Sequence, residues 1–450
     1  MSGLKDFLNQ RLPLAKPLRD FLREPQPENV SWAHTFGSAL LFVLFLQVAT
    51  GGFLMLFYAP TPDHAWESLN YMGENFGSGR LLRSLHVWGA SLIILILTLH
   101  ILRVVFHGAY KRPRELNWVS GMLSYLLVLG FAFTGYLLPW DQKGYWGTKV
   151  GTEMIARTPL LGPILVRLLR GGEEIGAYTL SRFFALHVFF LPALLAALVL
   201  LHLYLLRKHG IAPDPQSQNR STRRFPFYPY QIFRDATAAL AVLAILVLLA
   251  AAVPAGLDLK ADPSDTTYEP RPEWYFLAHF ELLRLFTGFE LLPILILPNL
   301  IILLLLGLPF LDRSAHRYWK KRKLIVLSMA GFFAAMYGAV AYSRLYHPAG
   351  GVSVAEEQLP LPGNGDPALM ARARQVLIEK KCINCHTIQG VGGRIGPNLS
   401  QAGWKFSRAH FRAQILDPKS HNPTTKMPSF RGVISEHDLE AVVEYLSEML

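Results

Sequence analysis

The stretch 85–106 reads LHVWGASLIILILTLHILRVVF and combines membrane-spanning length with two histidines, His86 and His100. About 20 apolar residues are enough for a helix to cross a bilayer. A second stretch, 183–206, has the same character and carries His187 and His202. Because imidazoles are costly inside a membrane, they are usually functional there. These two segments therefore indicate a helical membrane protein whose buried histidines carry its chemistry.

Seven runs of this kind occur along the chain. Of all residues 51% are hydrophobic and only 17% are charged, against about 25% charged residues in ordinary soluble domains, and the mean hydropathy is +0.26. Any single run could be a buried helix of a soluble domain, but seven in one chain favour membrane spans. The predicted spans are Phe36–Tyr58, Leu85–Phe106, Trp118–Trp140, Phe183–Leu206, Ala236–Ala255, Leu291–Leu311 and Leu324–Tyr342.

The distribution of Lys and Arg predicts how the spans are oriented. Segments 1–33, 103–117, 207–234 and 312–323 are richer in Lys and Arg than the alternate connections, which favours a cytoplasmic N-terminus. The N-terminal segment has no apolar core of signal-peptide type, so we expect the first span to direct insertion. Seven crossings then place everything after Tyr342 outside. Much of the net charge of +12 is thus a topology signal, and no nucleic-acid partner is expected.

The only two cysteines, Cys382 and Cys385, lie in KKCINCHTIQG. Cys-X-X-Cys-His is the pattern in which two thiols attach a haem c and the next residue, His386, ligates its iron. The alternatives are a redox Cys-X-X-Cys or half of a zinc site, although a zinc site would need two further ligands at suitable spacing. The sequence therefore predicts a small all-α haem c domain over 366–450, joined to the last span by a linker over 344–365.

The second axial ligand of this haem should be a thioether or another imidazole. Met427, in the loop sequence TTKMPSF before the last helix, is the preferred candidate. It stands where the axial methionine lies in the small class I cytochromes c, which this segment resembles. His410 and His421 are the competing candidates.

The intramembrane histidines are regularly spaced. His86 and His100 are fourteen residues apart, and His187 and His202 are fifteen. Each interval is close to four helical turns, so both members of a pair face one side of their helix, about 21 Å apart. The pattern predicts two haems b, an outer one held by His86 and His187 and an inner one held by His100 and His202. Ordinary core or snorkelling histidines would not be expected to share this interval.

Glycines repeat the same interval on the neighbouring spans. Gly37 and Gly51 lie fourteen residues apart in the first span, as do Gly121 and Gly135 in the third. Glycine costs a helix about 1 kcal/mol relative to alanine, but it allows a flat macrocycle to approach the backbone closely. Plain helix packing in membranes is the alternative explanation. The shared interval favours haem, and the predicted fold is a seven-helix transmembrane dihaem bundle followed by the haem c domain.

The chain resembles cytochrome b of the quinol:cytochrome c oxidoreductases, the cytochrome bc and cytochrome b/f family. The resemblance runs from about Asn29 to Tyr342 and rests on NVSWAHTFGSALL, GRLLRSLHVWGAS, GYLLPWDQKGYWGT, TLSRFFALHVFFLPALLAALVLLHLYLLRKHG and PRPEWYFL. It implies an N-terminal cytochrome b domain over 1–230 and a C-terminal one over 231–343. Three features depart from the family. Thr35 stands where the chloroplast type has a haem-attaching cysteine. Only two spans follow PEWY, as in the chloroplast type, yet the two parts that are separate subunits there form one chain here, and a haem c domain is fused at its C-terminus.

The resemblance also implies a quinol oxidation site at an outer pocket. In this chain the family's Pro-Glu-Trp-Tyr motif is formed by Pro272, Glu273, Trp274 and Tyr275. The carboxylate of Glu273 would accept a proton from a quinol hydroxyl, although a helix-capping glutamate is the alternative. The stretch after the third span would help to wall the pocket through Tyr136, Trp140, Gly144 and Trp146.

Several charged residues are candidates for contacts with the haem propionates or with an inner quinone. Arg80 and Arg83 precede His86 and would suit haem propionates, although arginines that merely snorkel to the interface are an equally good explanation. At the inner face Arg207, Lys208 and Asp235 could serve a quinone reduction pocket near the inner haem. Positive-inside topology alone would also place Arg207 and Lys208 there.

The implied function is split electron transfer from quinol, coupled to proton translocation across a bacterial cytoplasmic membrane. One electron would pass through a Rieske iron-sulfur partner to haem c and on to a soluble or membrane cytochrome c, and the other would pass through the two haems b to an inner quinone. No cysteine is left for a Rieske cluster, so that cluster needs a separate subunit. A homodimer is implied by the family alone. The alternatives are a dihaem membrane anchor that relays electrons for another dehydrogenase and, more remotely, a transporter.

Overall fold

The computed structural model of the chain separates it into two compact units, which are treated individually below. One unit takes in Met1–Ala261 and Pro270–Leu345, and the other takes in Asp262–Glu269 and Tyr346–Leu450. The structure describes residues 7, 11, 15–27, 30–212, 215, 224–265, 268, 271–286, 289, 291–346, 358–363, 365–392, 396–422, 425 and 427–449. Most of the predicted linker, 344–365, lies outside these residues.

Seven helices among the described residues are long and apolar enough to cross a membrane, which confirms the predicted all-α class. They are Trp32–Met55, Gly77–Phe106, Glu115–Leu137, Ala177–His209, Phe227–Ala252, Leu292–Leu311 and Trp319–Leu345, referred to below as the first to seventh spans. The second span begins eight residues before the predicted Leu85, because the polar turn that starts at Gly77 continues the helix beyond the apolar run. The fourth span likewise begins at Ala177 instead of Phe183.

Shorter helices connect the spans. In the larger unit they are Ala15–Leu22, Ala65–Asn75, Gln142–Ala156, Gly162–Arg170 and Trp274–Leu285. The helix Gln142–Ala156 is capped by Asp141, whose side chain accepts a hydrogen bond of 2.8 Å from the backbone N–H of Gly144. This cap fixes where the chain turns after the third span.

Two short antiparallel ribbons complete the secondary structure of the described residues. Strand Pro25–Pro27 pairs with Arg224–Pro226, with Gln26 opposite Phe225. Strand Thr387–Ile388 pairs with Val391–Gly392 in the smaller unit. The first ribbon ties the segment before the first span to the segment before the fifth.

Side-chain packing joins the spans in two apolar clusters. In one cluster the first, second and fifth spans meet, with Val43 and Leu246 fully buried. In the other the second, third, sixth and seventh spans meet, around Ile101, Trp118, Leu308 and Phe333. The histidine-bearing second span takes part in both clusters, so its rotation about its own axis is fixed from two sides.

A buried ionic cluster joins the end of the second span to the connection between the last two. The Asp312 carboxylate lies 2.9 Å from Lys111 Nζ and 3.4 Å from Arg322 Nη1, and it accepts a hydrogen bond of 2.5 Å from the Tyr110 hydroxyl. The side chains of Asp312 and Arg322 are 1% and 0% exposed. A buried charge is tolerated only when it is paired and hydrogen-bonded, so each member of this cluster depends on the others.

The cluster makes stability depend on pH. Burial would raise the pKa of Asp312, but the hydrogen bonds from Tyr110 and Lys111 outweigh burial and leave the pKa below its ordinary value. The stabilisation is therefore fully present above the unfolded-state pKa of about 3.9. It is lost as the pH falls through the lower folded-state pKa.

The smaller unit is a compact helical domain. Its helices in the described residues are Pro367–Glu379, Cys382–Cys385, Ala402–Lys405, Arg408–Leu416, Pro418–His421 and Glu436–Ser447. Its core includes Met370, Leu377, Phe411 and Tyr445, and the Tyr445 hydroxyl donates to the carbonyl of Pro360 at 2.7 Å. Leu359 is buried in the same core, so the packed domain begins before residue 366.

We predict that Asp312→Asn destabilises the larger unit by about 3–5 kcal/mol, because it leaves Lys111 and Arg322 buried without a counter-charge. The midpoint of thermal denaturation of the purified protein would measure the effect. Asp417→Asn is the matched control, because Asp417 and Arg431 form an ion pair of 3.7 Å whose side chains are 52% and 72% exposed. Equal stability of the two variants would contradict the role assigned to the cluster.

Candidate functional site

The four intramembrane histidines lie on the second and fourth spans. His86 and His100 share the continuous helix Gly77–Phe106, whereas His187 lies in a single π-helical turn, Leu186–Phe190, and His202 in the helix that follows it. A π turn adds a residue to the helical repeat and is frequent at functional sites. The π turn lies at His187, and the interval from His187 to His202 is one residue longer than the interval from His86 to His100. The additional residue of the π turn thus accounts for the longer interval on the fourth span.

The outer two imidazoles face each other. The ring centroids of His86 and His187 are 6.3 Å apart, with the planes at 68°. That separation leaves room for one metal ion between two ring nitrogens at about 2 Å each. The structure thus brings together the two outer histidines that the sequence pairs.

Each of the four histidines lies against one of the four glycines. A methyl group built on Gly135 would lie 2.6 Å from His187 Cε1, and one on Gly51 would lie 3.2 Å from His86 Cε1. At the inner end the corresponding distances are 3.1 Å from Gly121 to His202 and 3.6 Å from Gly37 to His100. The distance at Gly135 is too short for a real side chain, and those at Gly51 and Gly121 are tight, so the close approach of these imidazoles requires or strongly favours glycine there. At Gly37 the distance is an ordinary van der Waals contact.

Three hydroxyls fix the orientation of the imidazoles, and sequence reasoning missed them. Thr50 Oγ1 lies 2.9 Å from His86 Nδ1, Thr134 Oγ1 lies 3.2 Å from His187 Nδ1, and Ser120 Oγ lies 3.1 Å from His202 Nδ1. Each of these residues directly precedes one of the glycines. A Ser or Thr stands immediately before three of the four glycines of the repeat, whereas Phe36 precedes Gly37, and this pattern is the sequence signal that could have identified the hydroxyls.

The hydroxyls also determine which imidazole nitrogen can bind a metal. Thr50 donates its own proton to the carbonyl of Leu46, and Thr134 donates its proton to that of Gly130. Each hydroxyl must therefore accept the Nδ1–H of its histidine. The lone pair is then on Nε2, the nitrogen available as an iron ligand. His100 differs, because its buried Nδ1 has no hydrogen-bond partner among the described residues.

Arg80 and Arg83, predicted to contact haem propionates, and Arg207, predicted for the inner quinone pocket, are placed as follows. Arg83 donates to the carbonyls of Ala255 and Gly256, each at 2.6 Å. Arg207 lies 3.9 Å from Glu24 and over the ring of Phe21 at 4.2 Å. Arg80 is exposed. The structure thus gives Arg83 and Arg207 protein partners that the sequence did not reveal.

The residues of the predicted outer pocket come together where the helix Gln142–Ala156 meets the start of the helix Trp274–Leu285. Glu273 is the residue before the second helix, but its side chain does not cap that helix and instead forms an ion pair with Lys143. The Tyr136 hydroxyl donates to the carbonyl of Arg271 at 2.9 Å. The sequence interpretation did not single out Lys143, which has the opposite charge to Glu273 but lies 130 positions away.

Aromatic residues frame this pocket. Trp274 donates from its indole N–H to Ser91 Oγ at 3.1 Å and stacks on Tyr337 at 5.9 Å. Trp146 donates to Gln142 Oε1 at 3.0 Å. Pro272 precedes Glu273 directly, and Tyr275 follows Trp274 in the first turn of the helix. Fixed rings of this kind give a pocket rigid apolar walls with few polar groups.

At the inner end of the bundle Asp235 is held by two donors. Its Oδ1 accepts hydrogen bonds of 2.8 Å from Ser38 Oγ and from Gln231 Nε2. Ser38 directly follows Gly37, which lies against His100. Arg207 and Lys208 are exposed at the end of the fourth span. The structure thus connects Asp235 to the neighbourhood of the inner histidines through Ser38.

The Cys-Ile-Asn-Cys segment forms one helical turn, Cys382–Cys385, followed by His386 in extended backbone. His386 Nδ1 donates to the carbonyl of Pro397 at 2.8 Å, so its lone pair is on Nε2. A methyl group built on Gly396 would lie 2.6 Å from His386 Cε1, so this imidazole also lies close against a glycine. Tautomer and orientation of His386 therefore suit an axial iron ligand.

The chemistry of Cys382 disfavours a redox disulfide. Burial raises the pKa of the Cys382 thiol to about 12, which keeps it neutral. Redox-active Cys-X-X-Cys motifs need the opposite, a lowered thiol pKa that supplies the thiolate. The buried thiol therefore fits a structural or covalently attached role better than thiol exchange.

Met427 and the two competing histidines have different surroundings. Met427 packs on the core of the domain, and Gln414 Nε2 lies 3.6 Å from its sulfur. His410 stacks on Phe406 at 4.5 Å and contacts the ring of His421 at 4.8 Å. The two histidines thus contact each other and Phe406, whereas Met427 is held at the core by a neighbouring amide.

Comparisons with known proteins agree with this geometry. Residues 21–210 match the family model "Cytochrome b/b6/petB", residues 260–353 match "Cytochrome b(C-terminal)/b6/petD", and residues 370–446 match "Cytochrome C oxidase, cbb3-type, subunit III". The first two models cover the spans that hold the histidines and the PEWY segment. The third covers the smaller unit.

Relatives over long stretches point the same way. The menaquinol:cytochrome c reductase cytochrome b subunit of Geobacillus thermodenitrificans is 44% identical, over 47% of this chain and 98% of its own length. The cytochrome bc complex cytochrome b subunit of Chlorobaculum thiosulfatiphilum is 35% identical, over 76% of this chain and 80% of its own length. A solved structure, "Hyperthermophilic respiratory Complex III", is 30% identical with a TM-score of 0.68, over 76% of this chain and 91% of that one.

Histidines facing each other across membrane helices, with a Cys-X-X-Cys-His turn in a second domain, define a membrane-bound haem protein. More particularly, the chain belongs to the cytochrome b family, and a cytochrome c-like domain is fused behind its last span. It is thus a multi-pass membrane protein that binds haem.

We predict that Gly135→Ala displaces His187 and markedly lowers the haem b content, because the added methyl group would overlap the imidazole. Alanine itself favours a helix by about 1 kcal/mol over glycine, so the loss could not come from a weaker span. The absorption spectrum of the purified protein, normalised to protein concentration, would measure the haem.

Gly130→Ala in the same span is the matched control for that variant. A methyl group built there would reach only Leu191 Cδ1, at 3.9 Å. Equal haem b content in the two variants would contradict the assignment of Gly135 to the haem site.

We predict that Met427→Ala retains covalent haem c but lowers its reduction potential, because a methionine ligand raises the potential of a c-type haem. A redox titration, with a peroxidase stain for covalently bound haem, would measure both properties. His410→Ala and His421→Ala serve as comparison variants. A larger fall in potential in either of them would assign the axial ligand to that histidine instead.

Proposed function

We propose that this chain is the cytochrome b and cytochrome c subunit of a quinol:cytochrome c oxidoreductase that couples quinol oxidation to proton translocation. The observation that carries the proposal is the set of four imidazoles, each against its own glycine. Two relatives named as cytochrome b subunits of quinol-oxidising complexes support it. The proposed domains are those expected from the sequence, 1–230, 231–343 and 366–450 with 344–365 as linker, except that the last domain begins before residue 366 because Leu359 packs in its core.

We assign two non-covalent haems b to the membrane unit and one covalent haem c to the smaller unit. His86 with His187, and His100 with His202, would ligate the haems b. Cys382 and Cys385 would attach the haem c, with His386 and Met427 as axial ligands. When bound, the haems supply one-electron transfer, and the residues of this chain hold and orient them. The Nε2 lone pairs left by the Thr50, Ser120, Thr134 and Pro397 contacts support this assignment.

The outer quinol site is assigned to Glu273 with Tyr136, Pro272, Trp274 and Tyr275. Glu273 is 27% exposed, so its carboxylate can take a proton from a bound quinol hydroxyl and later release it to water. Tyr136 orients the segment by its bond to Arg271. Trp274, held by Ser91 and Tyr337, supplies a fixed wall.

The inner quinone site is assigned to the neighbourhood of Asp235. Its carboxylate is oriented by Ser38 and Gln231, and it can relay a proton toward a quinone near His100 and His202. Arg207 and Lys208 lie at the exposed end of the fourth span and would supply positive charge at the rim of this site.

The proposed function needs an iron-sulfur partner and an electron acceptor besides this chain. Its two cysteines are assigned to haem c, so a separate Rieske iron-sulfur subunit would take the first electron from quinol. The final acceptor would be a soluble or membrane cytochrome c, and the complex would be a homodimer. The proposed location is the bacterial cytoplasmic membrane, with the N-terminus inside and the haem c domain outside.

A dihaem anchor that relays electrons for another dehydrogenase is the second candidate. It would share the four histidines but would need no proton acceptor at the outer pocket. The ion-paired Glu273 beside fixed aromatic walls favours the quinol-oxidising function.

We predict that Glu273→Gln lowers kcat for quinol oxidation by about 100-fold or more, because a positioned proton acceptor contributes about that much. Steady-state reduction of cytochrome c by a short-chain menaquinol analogue, with the purified complex, would measure it. The reduction potentials of the haems should not change.

Glu174→Gln is the matched control, since Glu174 is 77% exposed and lies 4.0 Å from Lys149 in the same outer region. An unchanged rate in Glu273→Gln would favour the dihaem anchor and contradict the proposed site.

A further inference from the structure

Lys143 is placed to act directly on the proposed proton acceptor. It is the second residue of the helix Gln142–Ala156, and its ammonium group forms an ion pair with Glu273. The two side chains are 38% and 27% exposed. Solvent therefore screens part of the attraction between them, and the geometry around the pair decides how firmly it is held.

The geometry around the pair is fixed by Tyr136. Lys143 Nζ lies 5.7 Å from the centroid of the Tyr136 ring, and the hydroxyl of the same ring is bonded to the carbonyl of Arg271, two residues before Glu273. Methyl groups built on Gly144 or Gly147 would collide with Tyr136 at 2.4 Å and 2.3 Å. These glycines let the helix that carries Lys143 pack directly on Tyr136, and one tyrosine therefore positions both members of the pair.

The strength of the bond between Lys143 and Glu273 depends on the charge of the carboxyl group. A hydrogen bond between an ammonium and a carboxylate is about twice as strong as one between neutral groups. When the carboxylate takes up a proton, it loses its charge, and the Coulombic attraction to the ammonium is lost, which leaves a weaker hydrogen bond from the ammonium to a neutral carboxyl group. Proton uptake therefore loosens the contact that holds Glu273 in place.

We propose that Lys143 is a positioning residue of the outer quinol site, which holds the Glu273 carboxylate until quinol protonates it and then releases it. The inference rests on the proposed function of Glu273. In this step one of the two quinol O–H bonds breaks and an O–H bond forms on Glu273, while Lys143 keeps its three protons. The other hydroxyl proton leaves with the electron that goes to the iron-sulfur partner, and the second electron passes to the haems, which are the oxidants named in the proposed function.

A double-mutant cycle in the purified complex tests this inference. We expect Lys143→Met to lower kcat by about 10- to 100-fold, the order of loss that misplacement of a reacting group causes, with KM nearly unchanged. Lys143→Arg should restore most of the rate, because it restores the charge and the donors. Combined with Glu273→Gln, Lys143→Met should cause no further loss, since it acts through Glu273.

Lys149→Met is the matched control. Lys149 lies on the same helix, 5.0 Å above the ring of Trp146 and 4.0 Å from Glu174, and its loss should leave kcat within about twofold of wild type. Unchanged haem content would show that every variant is folded.

The outcomes separate this inference from the function on which it rests. If Glu273→Gln is slow but Lys143→Met is as fast as wild type, the role of Lys143 is overturned and that of Glu273 stands. Full additivity of the two losses would also overturn it, because Lys143 would then act independently of Glu273. A normal rate in Glu273→Gln would overturn both.

Discussion

The rest of the structure depends on burying four imidazoles within apolar helices. His86, His187 and His202 lie so close to a neighbouring helix that a small residue is needed opposite them, and the same three have a hydroxyl that accepts the Nδ1–H. The Thr and Ser residues satisfy this polar group where water cannot. By accepting the Nδ1–H, the same hydroxyls leave the lone pair of each of these histidines on Nε2. The first and third spans supply the glycines and hydroxyls, and the second and fourth supply the histidines.

The outer pocket follows from that bundle. The third span ends at Leu137, and Asp141 caps the helix that carries Lys143, which sets its position beside the segment before Trp274. Charge in this region is therefore paired across chain segments that meet only in the folded state. The inner end is organised differently: Asp312 binds Lys111 and Arg322 in a buried cluster, and Asp235 accepts hydrogen bonds of 2.8 Å from two neutral groups, the Ser38 hydroxyl and the Gln231 amide.

Features that repeat along the helices could be predicted from the sequence, but the side-chain pairs that form between distant positions could not. The histidine and glycine intervals are visible because both repeat near four helical turns, and the seven spans are visible because hydropathy defines them. The predicted start of the second span, Leu85, was wrong by eight residues, because the helix begins at Gly77 in a polar turn that hydropathy does not detect. The pairing of Lys143 with Glu273 and the backbone contacts of Arg83 depend on tertiary packing between distant positions. The hydroxyls were missed because Thr and Ser are common in helices, and their role shows only when the facing histidine is known.

The central claim is that four membrane histidines and one Cys-X-X-Cys-His motif hold three haems of two kinds. A pyridine haemochrome spectrum of the purified chain, recorded before and after acid-acetone extraction, tests it most directly. The account predicts two extractable haems b and one haem c that stays with the protein. Any other ratio would contradict it, and the absence of haem b would leave the paired imidazoles and their glycines without a function.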